Sequence, residues 1–472
     1  MGSIDLVILI VYLIVMLGIG FFFMRKNKGM DDYYVGSRKM SSFHVGLSVV
    51  ATDVGGGFSI GLGGLGFAMG LSGSWMLFTG LVGAWIAAVF LIPKIKKLEE
   101  NKKFYTFPQI FDHYFGTKVA LVAALITTLG YIGFTSSQLL AGAKLASATF
   151  STLDIKTALL IMGALAIIYT AIGGIKAVIY TDTAQWIILM CGLIFVGIPV
   201  SHVSIGGFEA ISNHLPQNHL SLTNISWQTL VNWAITITPI WFVGMTLYQR
   251  IYACKDIKTA QRAWYTAGLL EYPIMAFMGI ILGIYSRVAL EQGMFAELGF
   301  SPGAMIDSEL GMPLLLRTVL PSGLMGLVLA AYFSAILSTA DSCLMAASGS
   351  VVSDFIKPKD TKKSLRLSQI ATLCIGVLSL LLASIFENVL SLMLYSYSFM
   401  VSGLLIPLIG ALFFNRKNPT AALLAMIFGG ATTVLFSLKA PFPIPFGLDA
   451  NFMGILISAI LFFSISKKTK SQ

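Results

Sequence analysis

The sequence predicts an all-α polytopic membrane protein with thirteen transmembrane helices. Three observations predict it: too little charge for a soluble surface, repeated apolar runs of spanning length, and basic residues confined to alternate loops. Among 472 residues, AVILMFWYC make up 56% and DEKR 11%, with a mean hydropathy of +0.84. A soluble domain carries about 25% charged residues. This chain has too little polar material to coat itself against water, so a lipid bilayer is its expected surrounding.

A spanning helix needs about 20 apolar residues. The first run, Ile4–Met24, is too long for the apolar core of a signal peptide. Arg25 and Lys26 also follow it rather than precede it, so it reads as a retained first helix. Further spans are expected at 43–69, 74–93, 118–148, 155–172, 178–201, 229–250, 263–286, 313–352, 366–386, 389–413, 419–437 and 450–466. The stretch 313–352 is long for a single span. The connector 288–312 reads as an external loop with short helices of its own.

Orientation follows from Lys and Arg. One set of loops holds RKNKGMDDYYVGSRK, PKIKKLEENKK, Lys176, RIYACKDIKTAQR, KPKDTKKSLR, NRK and KKTK. The alternate set holds only Lys156, Arg287, Arg317 and Lys439, an asymmetry of about 26 to 4. The basic side is expected in the cytoplasm, which puts the N-terminus outside and the C-terminus inside a cell membrane. Because these charges sit in short loops, the net charge of +10 does not point to a nucleic-acid partner.

Several chemistries are excluded. No P-loop is present, so ATP does not drive the protein. Cys191, Cys254, Cys343 and Cys374 have no metal-ligand spacing and are expected as unpaired side chains. His44, His113, His202, His214 and His219 form no catalytic cluster, and an enzyme is not expected. Gly61-Leu-Gly63-Gly-Leu-Gly66 fits G-x-G-x-x-G, but it lies inside an apolar span with no acid at 81–90. Close packing of helices through small residues explains it better.

Two spans carry polar chemistry. The second reads SVVATDVGGGFSIGLGG, with Asp53 near its middle and Gly55, Gly56 and Gly57 following. Each glycine weakens a helix by about 1 kcal/mol relative to alanine. In lipid the freed backbone groups need partners, and a cation held by unwound carbonyls is one solution. An acid at that depth is a functional candidate by default. The ninth span contains Ser334-Ala-Ile-Leu-Ser338-Thr339-Ala-Asp341-Ser342. Ser334, Ser338 and Ser342 are four apart and share a face, with Asp341 beside them. Hydroxyls with a carboxylate suit sodium; bonds back to the helix's own carbonyls are the plainer alternative. Asp182, in Tyr180-Thr-Asp-Thr-Ala-Gln185 at the start of the sixth span, suits a helix cap or an ion ligand.

The run Tyr169-Thr-Ala-Ile-Gly-Gly174 followed by Tyr180-Thr-Asp-Thr-Ala-Gln185 resembles the signature of the sodium:solute symporter family. ATDVGGGFSIG and LSTADSCLMAAS look most like its choline branch. Asp53, where that branch has an aromatic, looks like the proline carriers. The resemblance implies a LeuT-type fold: two inverted five-helix repeats at 43–201 and 229–413, a leading helix at 4–24 and two trailing helices at 419–466. Each repeat should open with an interrupted helix. The second has Thr238-Pro-Ile-Trp-Phe-Val-Gly244 available for this.

The resemblance also implies sites. The main sodium site would take carbonyls of Ala51, Val54 and Ala335 with the hydroxyls of Ser338 and Thr339. A second cation site would use Asp182, Ser338, Asp341 and Ser342. Asp341 stands where a serine is expected; it either strengthens that site or carries a proton, and both remain open. Solute-pocket candidates are Asp53, Gly56, Trp85, Tyr131, Gln138, Trp241, Phe242 and Tyr397. The expected activity is uptake of a small organic solute with one or two sodium ions by alternating access, performed by a monomer. A solute-binding sensor and a proton-coupled carrier are the alternatives.

Overall fold

A computed structural model describes residues 3–26, 34–150, 152–172, 175–358, 360–438 and 444–467. Gly173 and Gly174 of the signature run, residues 27–33 of the first basic loop and the tail 468–472 lie outside the described residues. The described chain is helical, without a β-strand.

The helices are α1 (Ser3–Lys26), α2 (Ser42–Met69), α3 (Trp75–Ile86, running through a π-turn at Ala87–Leu91 into Ile92–Lys102), α4 (Thr117–Thr149) and α5 (Ile155–Ile172). Next come α6 (Ile175–Gly192, continuing through Leu193–Gly197 to Ile198–Ser204), α7 (Trp227–Val243), α8 (Met245–Ala253) and α9 (Ile257–Leu269, an irregular turn Leu270–Met275, then Ala276–Glu291). α10 (Ser308–Val319), α11 (Leu324–Ser350), α12 (Thr361–Ala383), α13 (Val389–Phe414), α14 (Pro419–Ser437) and α15 (Ala450–Ile465) complete the order.

Local sequence sets several starts. Ser226 accepts from Thr229 N (3.1 Å), Asp256 from Thr259 N (2.7 Å) and Asn388 from Ser391 N (2.8 Å), capping α7, α9 and α13. α11 is capped from far away: Asp5 of α1 accepts from Gly323 N (2.7 Å) and Gly326 N (2.8 Å). That contact seats the leading helix against the bundle.

Eight helices among the described residues are long and apolar enough to cross a membrane, nine if the bent pair α7–α8 is one span. This is fewer than the thirteen expected. Ser59–Lys102 forms one continuous apolar run of 44 residues through the turn Gly70–Ser74, so it counts once although it holds parts of two expected spans, 43–69 and 74–93. The apolar parts of α5 and α15 are short, at Ile155–Ile168 and Ala450–Ile465. The expected span 313–352 is corrected. Pro321 and Gly323 (φ 89°) interrupt it, leaving the short α10 before α11.

Burial separates centre from rim. The apolar window of α11 is 89% buried and that of α4 72%, against 28% for α6, 33% for α12 and 39% for α14. α11 is therefore the axis of the bundle, packed against α1, α2, α4 and α6. The Gly61–Gly66 run is where α2 meets α9. A Cβ on Gly66 would stand 2.3 Å from the Ile280 carbonyl oxygen, and one on Gly283 would stand 2.2 Å from that of Gly63. The four cysteines are unpaired.

Candidate functional site

The site begins with two interrupted helices. In α2 the helical path breaks at Gly55 (φ 35°, ψ −158°), a conformation open to glycine and strained for other residues. The break brings α2 against α11: a Cβ on Gly55 would lie 2.5 Å from Thr339 Oγ1. The second break is at Gly244, where α7 and α8 meet at a bend of 43°, a turn and a half beyond Pro239. Both lie where the glycine and proline pattern predicts them.

Breaking a helix frees backbone groups, and α4 satisfies them. Gln138 Oε1 accepts from Gly56 N (2.9 Å) and Gly57 N (3.1 Å). Tyr131 Oη accepts from Thr246 N (3.0 Å) and bonds to Thr246 Oγ1 (3.0 Å). Residues 131 and 138 are two turns apart on one face of α4, so one rigid helix braces both breaks. Tyr248 completes the second break by donating to the Phe242 carbonyl (2.6 Å).

Beside the first break lies a small cavity lined by Ala51, Val54, Gly55, Asp182, Ala335 and Ser338, among others. Its free interior, about 10 Å³, admits roughly one water-sized body. Thr339 Oγ1 lies 3.1 Å from the Ala51 carbonyl oxygen and 3.2 Å from that of Ala335. All five residues of the expected main sodium site therefore gather at one point between α2 and α11. The space suits an ion and is too small for an organic solute. A larger cavity, about 580 Å³, is lined by Lys102, Asp112, His113 and Asp354 and touches neither break.

The expected second cation site also gathers, around a residue not expected there. Arg250 of α8 is fully buried. Its guanidinium donates to Ser48 Oγ (3.0 Å), Thr52 Oγ1 (2.5 Å), Asp182 Oδ2 (3.2 Å), Ser342 Oγ (3.0 Å) and the Thr246 carbonyl (3.2 Å). Asp182 accepts also from Ser48 and Ser338. The cap reading of Asp182 is corrected: α6 begins at Ile175, and the carboxylate faces inward to α2, α8 and α11. Asp341 is buried beside this cluster, and its Oδ1 has no donor among the described residues.

Glu271 was missed as well. It lies fully buried in the irregular turn of α9, beside Asp53. The signal was present, because an acid inside the span 263–286 meets the same criterion that singled out Asp53. Arg250 was hidden by counting it with the loop charges that follow it.

The remaining pocket candidates divide. Tyr397 is buried against Phe134 (ring centroids 5.0 Å) on the side of Asp53 and Glu271. Trp241 is buried between Gly83 and Trp264, and Phe242 is bound through its carbonyl. Gly56 is covered by Ile336, which a Cβ there would meet at 2.4 Å. Trp85 is corrected: it is 40% exposed on the rim, against Tyr265 and Gly268, because its position on α3 faces outward. On the side expected to be external, Lys144 pairs with Asp307 and with Glu309 (2.6 Å), and Glu309 accepts from Val389 N and Leu390 N. These bonds tie α10 to α4 and to the start of α13.

An interrupted helix beside an ion-sized cavity, with a second interrupted helix braced through the same α4, is the arrangement of a secondary transporter scaffold. The comparisons agree. The profile of the sodium:solute symporter family matches residues 33–429, and the chain belongs to that family. It is 27% identical to the osmoregulated proline transporter OpuE of Bacillus subtilis, across 99% of this chain and 96% of that one. It is 27% identical to the sodium/proline symporter of Escherichia coli (97% and 93%) and 27% identical to the sodium/pantothenate symporter of the same organism (96% and 94%). Its fold matches a Na+-coupled sialic acid symporter in a substrate-bound outward-open state with a TM-score of 0.81, at 23% identity over 99% of this chain and 100% of that one. MHP1, a nucleobase-cation-symport-1 family transporter, matches at 0.56, with 14% identity over 93% and 94%.

Proposed function

We propose that this chain takes up a small organic solute with sodium, by alternating access across the cell membrane. The observation that carries the reading is the convergence of the first helix break with the hydroxyl face of α11 at an ion-sized cavity. The architecture we assign is thirteen spans, with two inverted five-helix repeats, the N-terminus outside and the C-terminus in the cytoplasm. The basic loops support that orientation.

In this reading sodium is held by the carbonyls of Ala51, Val54 and Ala335 and the hydroxyls of Ser338 and Thr339. The Thr339 hydroxyl, now bonded to the Ala51 and Ala335 carbonyls, turns toward the ion when it enters. Sodium then ties α2 to α11 and stabilises the open pocket. Solute binds beside Asp53 and Tyr397, the bundle rocks, and both leave to the cytoplasm. Inward movement of each charge gains about 2.3 kcal/mol per 100 mV of membrane potential. In the arrangement seen here Arg250 supplies the positive charge at Asp182, which favours one coupling sodium over two.

The test is the double substitution Ser338→Ala with Thr339→Ala. Sodium-dependent thermal stabilisation of the purified protein should need about 10-fold more sodium or more, since two ligands are lost. Unchanged sodium dependence in that variant removes the assignment.

A further inference from the structure

Glu271 has no place in the sodium site, yet it is among the most completely enclosed acids in the chain. The backbone of α9 leaves helical geometry at Tyr272 (φ −135°, ψ 124°), which turns the preceding side chain inward. Glu271 there fills the space above Gly80 of α3: a Cβ on Gly80 would stand 2.1 Å from Glu271 Oε1. On its other side lies the Asp53 carboxyl of α2. No N–H or O–H among the described residues reaches either oxygen of Glu271 or Oδ2 of Asp53.

The neighbours supply no countercharge. Tyr397 of α13 and Cys343 of α11 are the other titratable groups facing the pair, and neither is a cation. The three buried cations among the described residues are engaged elsewhere, Arg250 with Asp182, Lys144 with Asp307 and Glu309, and Lys96 with Glu99. Two adjacent buried carboxyls that lack donors present a site for a cationic partner.

The donors that would receive an anionic solute are absent from the same place. A carboxylate bound at a helix break needs backbone N–H groups. Those of Gly56 and Gly57 are bonded to Gln138, and that of Thr246 to Tyr131. The pocket therefore offers acceptors in excess and few free donors, which selects for a ligand that donates.

We propose that Asp53 and Glu271 form the anionic pole of the solute pocket and take a protonated primary or secondary amine, whose ammonium donates one N–H to each carboxyl. A quaternary amine has no N–H to give and is disfavoured. The proposal rests on the carrier reading above.

The experiment uses the purified full chain in detergent, first titrated with sodium alone and then, in sodium, with four probes that differ in charge and N–H content. These are pyrrolidine (a secondary ammonium), tetramethylammonium, proline (a zwitterion) and cyclopentanecarboxylate (an anion). Pyrrolidine should raise the unfolding temperature most. Glu271→Gln should weaken its half-saturating concentration about 10-fold or more while the response to sodium persists. A second measurement needs no variant: tetramethylammonium and cyclopentanecarboxylate should leave the wild-type unfolding temperature unchanged. Stabilisation by cyclopentanecarboxylate or proline that is equal in wild type and Glu271→Gln overturns the proposal. So does a wild-type protein that pyrrolidine fails to stabilise, or that tetramethylammonium stabilises as much as pyrrolidine. Loss of the sodium response in wild type counts instead against the carrier reading.

Discussion

Gly55 is fixed both by its own torsion and by its neighbour. An alanine there would need φ near 35° and would place a methyl 2.5 Å from Thr339 Oγ1. Gly55→Ala should cost about 2 kcal/mol or more and also separate α2 from α11. It should appear as a lower unfolding temperature together with weaker sodium stabilisation. Gln138 is the complementary case. Gln138→Leu leaves the N–H groups of Gly56 and Gly57 buried without an acceptor, at about 1–3 kcal/mol for each group. Gln138→Glu keeps the acceptor and should be tolerated better in a thermal melt. The glycines announced their break in the sequence because chain torsion is a local property. The role of Gln138 was not legible, since its partners stand 82 and 81 residues away. Trp85 was misplaced for a related reason: that a ring lies in a span does not say which way its position faces.

Helices meet at Arg250. The side chain leaves α8 and bonds to α2 through Ser48 and Thr52, to α6 through Asp182, and to α11 through Ser342. Removing one partner of a buried ion pair strands the other, at about 3–5 kcal/mol. Asp182→Asn alone should therefore destabilise more than Asp182→Asn combined with Arg250→Gln. A double-mutant thermal cycle reads this directly, and strict additivity of the two losses would contradict the pairing. Two helix starts fall close to the expected 229 and 389, at Trp227 and Val389, where Ser226 and Asn388 cap, and the second break falls where Pro239 and Gly244 predict it; α9 instead starts at Ile257, at the cap Asp256, ahead of the expected 263. The boundary it missed, between α10 and α11, lies in a run apolar enough to hide Pro321 and Gly323. The cap of α11 comes from Asp5, at the far end of the chain, where no local pattern could reveal it.

Across the whole molecule, the proposed sodium site and the acid pair flank one broken helix. Ala51 and Val54 face the ion-sized cavity, while Asp53 faces Glu271. A cation on one side and an ammonium on the other would both draw on α2, which α4 holds through Gln138 and joins to the second break through Tyr131. That arrangement offers a physical route for sodium to alter solute affinity without contact between the two. Asp53→Asn separates the roles: solute affinity should fall while sodium stabilisation survives, whereas normal affinity for both would remove Asp53 from the mechanism. The membrane class of the chain was legible from charge content alone, and the family from a few residues around Tyr169 and Tyr180. The solute was not, because the pocket proposed for it draws on α2, α9 and α13, which the sequence keeps far apart. The most direct test is uptake into proteoliposomes of the amine that best stabilises the purified protein. With an inward sodium gradient it should accumulate above its external concentration, and dissipating the gradient should release it. Equal uptake with and without the gradient, or binding without accumulation, would contradict sodium-coupled transport.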